Sequence, residues 1–254
     1  MDRVVIAPSY NKWAPMIGDI PRWFFWGNGD SVYEGRNTLR IFYLDEHPVM
    51  VKRFKRANFF QQIAYSFFRT TKAERAFIYA KEFRERGIDT PQEIAFIEEK
   101  ERGLFTTGYF ISEVCPNPPT YPILVDKADF DHQIAKDVAK EIARLHQAGI
   151  LHGDLNLGNF LYRKEGDHYF FSVIDTNRSK LKNRVPDEDA CLKNLSTVTE
   201  RPDLFKFIAR EYIRERDWTN RETELLEKAI RYWKAKLRYL TQRRRLKRLI
   251  HKIF

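Results

Sequence analysis

Leu151-His152-Gly153-Asp154-Leu155-Asn156-Leu157-Gly158-Asn159-Phe160-Leu161, followed downstream by Val173-Ile174-Asp175, is the stretch on which the fold turns. Its residue types and spacing suit phosphoryl transfer. A carboxylate at Asp154 can orient an acceptor hydroxyl and take its proton. Asn159, five residues on, offers an amide oxygen to Mg²⁺, and Asp175 supplies a charged ligand that bridges metal and triphosphate. Asp and Asn also populate turns for purely local reasons, so the flanking sequence has to decide between the two readings.

Upstream, Ile134, Val138, Ile142 and Leu145 keep helical spacing and run into Leu145-His146-Gln147-Ala148-Gly149. The loop follows, then the short apolar run Asn159-Phe160-Leu161-Tyr162, a charged turn, and the strand-like Tyr169–Ile174 ending on Asp175. Helix, loop, hairpin and an acid at the strand end is the order of the helical lobe of a protein-kinase-like fold.

At 254 residues the chain allows one large domain or two small ones, and 43% hydrophobic with 15% aromatic residues marks it as folded. No segment reaches the ~20 uninterrupted apolar residues of a membrane span. The apolar run at the N-terminus stops at Pro8, short of a signal peptide. Cys115 and Cys191 form neither a metal pattern nor a disulfide framework and read as inert thiols. All of this fits a reducing cytoplasm.

Residues 1–30 read as aromatic loop, with Trp13, Trp23, Phe24, Phe25 and Trp26 among Pro and Gly. Strands are expected over Ser31–Glu34, Thr38–Leu44 and Pro48–Phe54, the last pair joined by Asp45-Glu46-His47. Helices are expected over Phe59–Phe68 and Ala73–Arg86, the second stopped by Gly87, with further strands over Ile94–Glu98 and Thr107–Val114. The Pro-rich stretch Cys115–Pro122 is the natural hinge. The expected fold is α+β, two-lobed and protein-kinase-like: a small antiparallel-sheet N-lobe over 1–115, a mostly helical C-lobe over 116–227, and a basic amphipathic helix over 228–254.

On the nucleotide side, Val49-Met50-Val51-Lys52 places a lysine after alternating apolar residues, where such a fold needs a cation for the α- and β-phosphates; Arg53 and Lys55 are its rivals in register. Glu74 is the candidate partner for that lysine on the next helix, with a solvated Glu74 as the alternative. No Gly-x-Gly-x-x-Gly precedes them. Gly35, in Tyr33-Glu34-Gly35-Arg36-Asn37, is the best candidate for close backbone approach to phosphate, and Trp26-Gly27-Asn28-Gly29-Asp30 is an equally turn-like rival. Gly153 stands where protein kinases carry an arginine, Thr176 follows the metal aspartate in place of Phe-Gly, and no Ala-Pro-Glu is present. A peptide platform is therefore not expected, and the acceptor shifts towards a small molecule or sugar. His152 is expected to brace the loop by hydrogen bonding rather than act as a base.

The charge is concentrated at one end. Eleven of the 45 Lys and Arg fall between Lys228 and Phe254 with no acid among them, leaving 34 against 35 Asp and Glu elsewhere, so the net +10 belongs to the last segment. Trp233, Leu237 and Leu240 form one stripe there and Leu246, Leu249, Ile250 and Ile253 another. Aromatic and aliphatic residues interleaved with cations suit an anionic leaflet. The alternatives are a helix docked on its own lobe, and nucleic acid, which the neutral remainder of the chain disfavours.

With these residues in place, the chain resembles the bacterial lipopolysaccharide kinase family, the Kdo/heptose kinases of the protein-kinase-like superfamily. Val51-Lys52-Arg53-Phe54-Lys55, Ser66–Ala73, Gly87-Ile88-Asp89-Thr90-Pro91, His152–Leu161 and Ile174-Asp175-Thr176-Asn177-Arg178 carry the likeness, which runs over roughly residues 30–200. The resemblance implies ATP- and Mg²⁺-dependent phosphorylation of an inner-core sugar, Kdo first, on a lipopolysaccharide or lipid A precursor at the cytoplasmic face of the inner membrane. It implies Asp154 as base, Asn159 and Asp175 as metal ligands, and Lys52 with Glu74 and Gly35 on the nucleotide. Other readings stay open: a soluble small-molecule kinase, an atypical protein kinase, or a membrane-associated nucleotide-binding pseudokinase.

Overall fold

Strict alternation of apolar residues along short segments builds an antiparallel sheet in the first part of the chain. The structure, a computed structural model, describes residues 2–253, and side chains up to 246. It divides into two units, Met1–Pro116 with Asp175–Asn177, and Asn117–Ile174 with Arg178–Phe254.

In the first unit the elements are β1 (Arg3–Ile6), α1 (Ala14–Phe25), β2 (Asp30–Glu34), β3 (Thr38–Leu44), β4 (His47–Arg53), α2 (Phe59–Phe67), α3 (Lys72–Glu85), β5 (Glu93–Glu101) and β6 (Leu104–Glu113). They make a six-stranded sheet in the order β1-β5-β6-β4-β3-β2. The β3–β4 hairpin turns on Asp45 and Glu46, both at positive φ, 48° and 67°, as a tight two-residue hairpin turn requires. Phe42, Leu44, Val49 and Val51 face one core with Ile17, Ile20 and Phe24 of α1. The period of two sends Lys52 and Phe54 to the opposite face, where Phe54 packs with Ala73 and Ala76 of α3 and Phe96 of β5.

Residues 1–30 are not loop. They contain β1, paired with β5 through Arg3↔Glu98 to Ile6↔Ala95, and the twelve-residue α1. Two prolines, Pro15 and Pro21, and Gly18 conceal the helix in the sequence. Pro15 sits in its first turn, where a missing N–H costs nothing, and Ile17, Ile20 and Phe24 keep helical spacing. α2 is held by a capping box between Asn58 and Gln61, yet none of its residues is buried.

The second unit contains α4 (Tyr121–Leu124), α5 (His132–Gln147), β7 (Ile150–Leu151), β8 (Phe160–Glu165), β9 (His168–Val173), β10 (Lys180–Leu181), α6 (Glu188–Leu195), α7 (Pro202–Glu215) and α8 (Glu222–Ile253). Asp131 caps α5, accepting from the N–H groups of Gln133 and Ile134. Its stripe Ile134, Val138, Ile142 and Leu145 is fully buried. Gly149 (φ 78°) ends the helix and turns the chain into β7, which pairs with β10. β8 and β9 form a hairpin from Phe160↔Val173 to Glu165↔His168.

Through residue 244, α8 lies against its own unit. Leu225, Ala229 and Trp233, four apart, are buried. The Trp233 ring stacks on Phe205 with centroids 5.1 Å apart and a 9° interplanar angle, and its N–H donates to the Thr199 carbonyl at 2.8 Å. Lys228 pairs with Glu188 and Asp189, and Arg244 with Glu200. Of the second apolar stripe expected on this helix, Leu246 is exposed, and Leu249, Ile250 and Ile253 lie outside the described side chains. Among the described residues no helix is long and apolar enough to cross a membrane.

Candidate active site

β4 lies between β6 and β3, with Lys52 opposite Phe110 and Leu39, so the lysine rises from the interior of the sheet rather than its edge. Its ammonium is 2.6 Å from Oδ1 of Asp175. Asn177 donates to the same oxygen at 2.6 Å. Asp175 itself is in the left-handed region (φ 59°), a conformation aspartate tolerates better than most residues and one that collects at functional sites. Two donors thus fix the carboxylate that the sequence nominated for metal. Glu74, nominated for Lys52, has a different partner: it accepts from Arg3 at 2.8 Å, and Arg3 also reaches Glu98. The expected Lys52–Glu74 pair is not made. Gly35 occupies the β2–β3 turn; a Cβ there would collide with the Tyr33 ring, so the close approach this glycine permits is to a neighbouring side chain.

In the second unit the loop after β7 is tied down at nearly every residue. His152 is buried; its Nε2 donates to the Ile174 carbonyl at 3.0 Å and its Nδ1 accepts the Asp154 N–H at 3.2 Å. That fixes the tautomer and makes the ring a brace. A Cβ on Gly153 would fall on the backbone carbonyl of Arg178, which explains why no arginine or alanine stands there. The Asp154 carboxylate accepts from Asn156 Nδ2 at 3.0 Å. The Asn159 side-chain nitrogen donates to the Asp154 carbonyl at 2.8 Å, which orients its Oδ1 as the group left for a cation. The Ile174 N–H in turn donates to the Asn159 carbonyl at 3.0 Å, so Asn159 is in register with the strand end that immediately precedes Asp175. An amide oxygen and a carboxylate are hard donors and fit Mg²⁺.

Several positioning residues escaped the sequence reading. Thr120 Oγ1 donates to the Leu157 carbonyl at 2.6 Å, Thr197 Oγ1 to that of Leu155 at 3.2 Å, and Asn194 Nδ2 to that of His152 at 2.8 Å. Asn194 ends a buried relay. Arg216 donates to the Tyr212 hydroxyl at 2.7 Å, the hydroxyl donates to His146 Nδ1 at 2.7 Å, and His146 Nε2 donates to Asn194 Oδ1 at 3.1 Å. With His146 neutral, every donor in this chain finds an acceptor without rearrangement. Burial pushes its imidazole down to about 4, outweighing the Asn194 hydrogen bond that opposes the shift.

The sheet unit, the helical unit and the braced Asp154 loop define a kinase-like architecture. Residues 34–229 match the family model described as "Lipopolysaccharide kinase (Kdo/WaaP) family". The chain belongs to that family. Among curated relatives, it is 27% identical over 132 residues to a 3-deoxy-D-manno-octulosonic acid kinase of Vibrio vulnificus (strain YJ016), covering 50% of this chain and 56% of that one. It is 25% identical over 145 residues to the enzyme of the same name from Vibrio cholerae, covering 54% and 61%. The chain thus spans little more than half the length of the curated relatives it matches. Among solved structures, one titled "WaaP in complex with acyl carrier protein" superposes with a TM-score of 0.60 over 92% of this chain and 98% of that one, at 18% identity.

The relay gives the protein a defined acid sensitivity. Between pH 6.5 and about 4 the unfolded chain binds a proton at residue 146 that the folded chain refuses. Stability is therefore complete above 6.5 and falls as pH drops through that window, by on the order of 3 kcal/mol in all. Thermal melts from pH 7.5 to 4 should show a steeper loss for wild type than for His146→Gln. Equal slopes would remove His146 from the account.

Proposed function

We propose that this chain transfers the γ-phosphoryl group of ATP to a hydroxyl of a Kdo-type sugar acid in the lipopolysaccharide core or its lipid A precursor. The observation that carries the reading is the Asp154 loop: a carboxylate and an amide oxygen five residues apart, each fixed by its own hydrogen bond, in a chain of the lipopolysaccharide kinase family. In this scheme Asp154 accepts the proton of the attacking hydroxyl as the new O–P bond forms and the bond from Pγ to the β–γ bridging oxygen breaks, leaving ADP and the sugar phosphate. Lys52 moves from Asp175 to the α- and β-phosphates. Asn159 and Asp175 hold Mg²⁺, which when bound screens the phosphate charge. Gly35 lies in the turn of the hairpin that would cover the nucleotide. Glu74 enters only by exchanging Arg3 for Lys52 once the nucleotide has drawn Lys52 away from Asp175.

Asp154→Ala is expected to lower turnover at least ~10²-fold with an unchanged melting temperature, and Lys52→Ala to raise the KM for ATP. The direct check is mass spectrometry of lipid A–core from cells with and without the gene. Loss of one phosphate, restored by the wild type and not by Asp154→Ala, is the expected outcome. A core unchanged by deletion would favour a soluble acceptor or a nucleotide-binding scaffold.

The chain would act as a peripheral protein on the inner face of the inner membrane, through the basic segment 228–254. Arg231, Lys234 and Arg238 on α8 are exposed and make no ion pair among the described residues, which supports a contact with anionic lipid. Sedimentation with anionic vesicles should weaken as salt rises, and reversal of these three charges should lower partition and flatten its salt dependence. Partition indifferent to both would end the role of this face.

A further inference from the structure

A groove of about 320 Å³ opens in the second unit between the Asp154 loop and α8. Asn156 and Leu157 form one wall, Lys236, Leu237 and Leu240 the other, and the Ser196–Arg201 segment the floor. Its volume is at the lower end of small-ligand sites, roughly 300–1,000 Å³, enough for a single sugar. The Asn156 at its wall is the residue that donates to Oδ1 of Asp154. The floor hydroxyls are committed to backbone: Ser196 to the Lys193 carbonyl, Thr197 to those of Leu155 and Asn194, while Thr199 accepts the Arg201 N–H. They shape the groove and hold the loop.

Three cations border it, and two are already engaged. Arg201 donates to the carbonyls of Leu124, Val125, Lys127 and Ala128 and pairs with Asp203. Arg244 is bidentate to Glu200, at 3.0 and 2.5 Å. Lys236 has no carboxylate partner among the described residues; its ammonium lies 5.9 Å from the Tyr239 ring. A groove with apolar walls, one uncommitted cation and an edge on the Asp154 loop is built for a ligand that carries a single well-placed negative group.

The geometry points to this groove as the acceptor site, with the Lys236 ammonium meeting an anionic group of the bound sugar, a carboxylate or a phosphate. The assignment rests on the proposed transfer reaction in placing the acceptor beside Asp154. It makes α8 part of the binding machinery.

The test measures binding to the full chain of three probes: the methyl glycoside of 3-deoxy-D-manno-octulosonic acid, its neutral methyl ester, and a phosphorylated lipid A precursor lacking Kdo. Lys236→Gln should weaken the anionic glycoside or the phosphorylated lipid about tenfold, Lys236→Arg should restore most of it, and the ester should be indifferent to the change. Whichever anion responds identifies carboxylate or phosphate as the recognised group. Equal binding by wild type and Lys236→Gln, or no binding of any probe, overturns the assignment. Transfer assays on the same variants separate the two ideas. A raised acceptor KM at constant ATP KM supports the groove. Transfer to Kdo that ignores Lys236 leaves the reaction standing and the groove fallen. Binding that depends on Lys236 without transfer to Kdo does the reverse.

A second observation stands apart from the reaction. Phe59, Phe60, Phe67 and Phe68, at the two ends of α2, are 63%, 80%, 68% and 80% exposed. Two exposed aromatic pairs, Phe59–Phe60 and Phe67–Phe68, on one short capped helix mark a contact face. From Lys55 to Lys72 the chain carries four cations and no acid, and Lys55 and Arg69 are exposed. Arg56 is bidentate to Glu101, while the exposed Lys55 and Arg69 form no ion pair among the described residues; aromatic ends beside such cations suit the interface of an anionic bilayer. We infer that α2 inserts its phenylalanines at such a surface. Phe60→Ser/Phe68→Ser, at sites too exposed to burden folding, should reduce partition to phosphatidylglycerol vesicles severalfold, with the loss persisting at high salt where the contribution of α8 is screened. Unchanged partition overturns the inference. A wild-type dimer that dissociates in the double variant also overturns it, by assigning the face to a second copy.

Discussion

A neutral imidazole in the middle of the helical unit sets the geometry of the Asp154 loop. His146 must accept from Tyr212 on one side and donate to Asn194 on the other, and Asn194 then holds the carbonyl of His152. A buried polar chain of this kind is favourable only when every member is satisfied, because each orphaned group bears its full desolvation cost. Arg216 supplies the polarity from outside: it donates to Tyr212, so the phenol has a proton to give the ring. A charged His146 would present a donor where the phenol now donates, and the phenol would have to accept from both the ring and Arg216 and turn its own proton elsewhere. The position of the loop is thereby coupled to packing between α5, α6 and α7.

Around that relay the backbone leaves little freedom. Gly153 is pressed against the Arg178 carbonyl, His152 spans from the Asp154 N–H to the Ile174 carbonyl, and the Ile174 N–H returns to Asn159. The loop and the strand end before Asp175 are laced together by main-chain contacts that tolerate almost no displacement. In the sheet unit the corresponding fixed point is Lys52–Asp175, with Asn177 on the same oxygen. Both units use one device: a carboxylate is oriented by an asparagine two residues on, Asn156 for Asp154 and Asn177 for Asp175.

What the sequence disclosed, and what it hid, follows from the range of the interactions. The β3–β4 hairpin, α5 and the β8–β9 hairpin rest on local periodicity and turn chemistry, and their residues announce them. α1 obeys the same periodicity, but Pro15 in its first turn and Pro21 in its interior mask it, and with it the region that supplies Arg3. Once Arg3 lies on a strand beside β5, it reaches Glu74 and Glu98, a pairing across 71 and 95 residues that no local pattern encodes. Asn194 and Thr197 brace the loop from 42 residues away and read in the sequence as ordinary helix-end residues. Asp154, Asn159 and Asp175 are close together along the chain and legible; Lys52, 123 residues from Asp175, meets it only in space, as do the supports of the loop.

The C-terminal helix shows how one run of cations can serve several ends. Leu225, Ala229 and Trp233 recur at the spacing of a docked face, Lys236, Leu237 and Leu240 continue it into the groove wall, and Arg231, Lys234 and Arg238 recur at three and four residues on the outward side. Composition made the segment look appended; its phase makes it integral. Lifting it from its unit would strip Trp233 from Phe205 and from the Thr199 carbonyl, opening the same segment whose Thr197 holds Leu155 in the loop. A bilayer contact through this helix is therefore compatible with an ordered Asp154 loop only if the outward cations meet the lipid while the buried face stays docked. In that arrangement the outward cations and the groove-lining residues belong to one continuous helix.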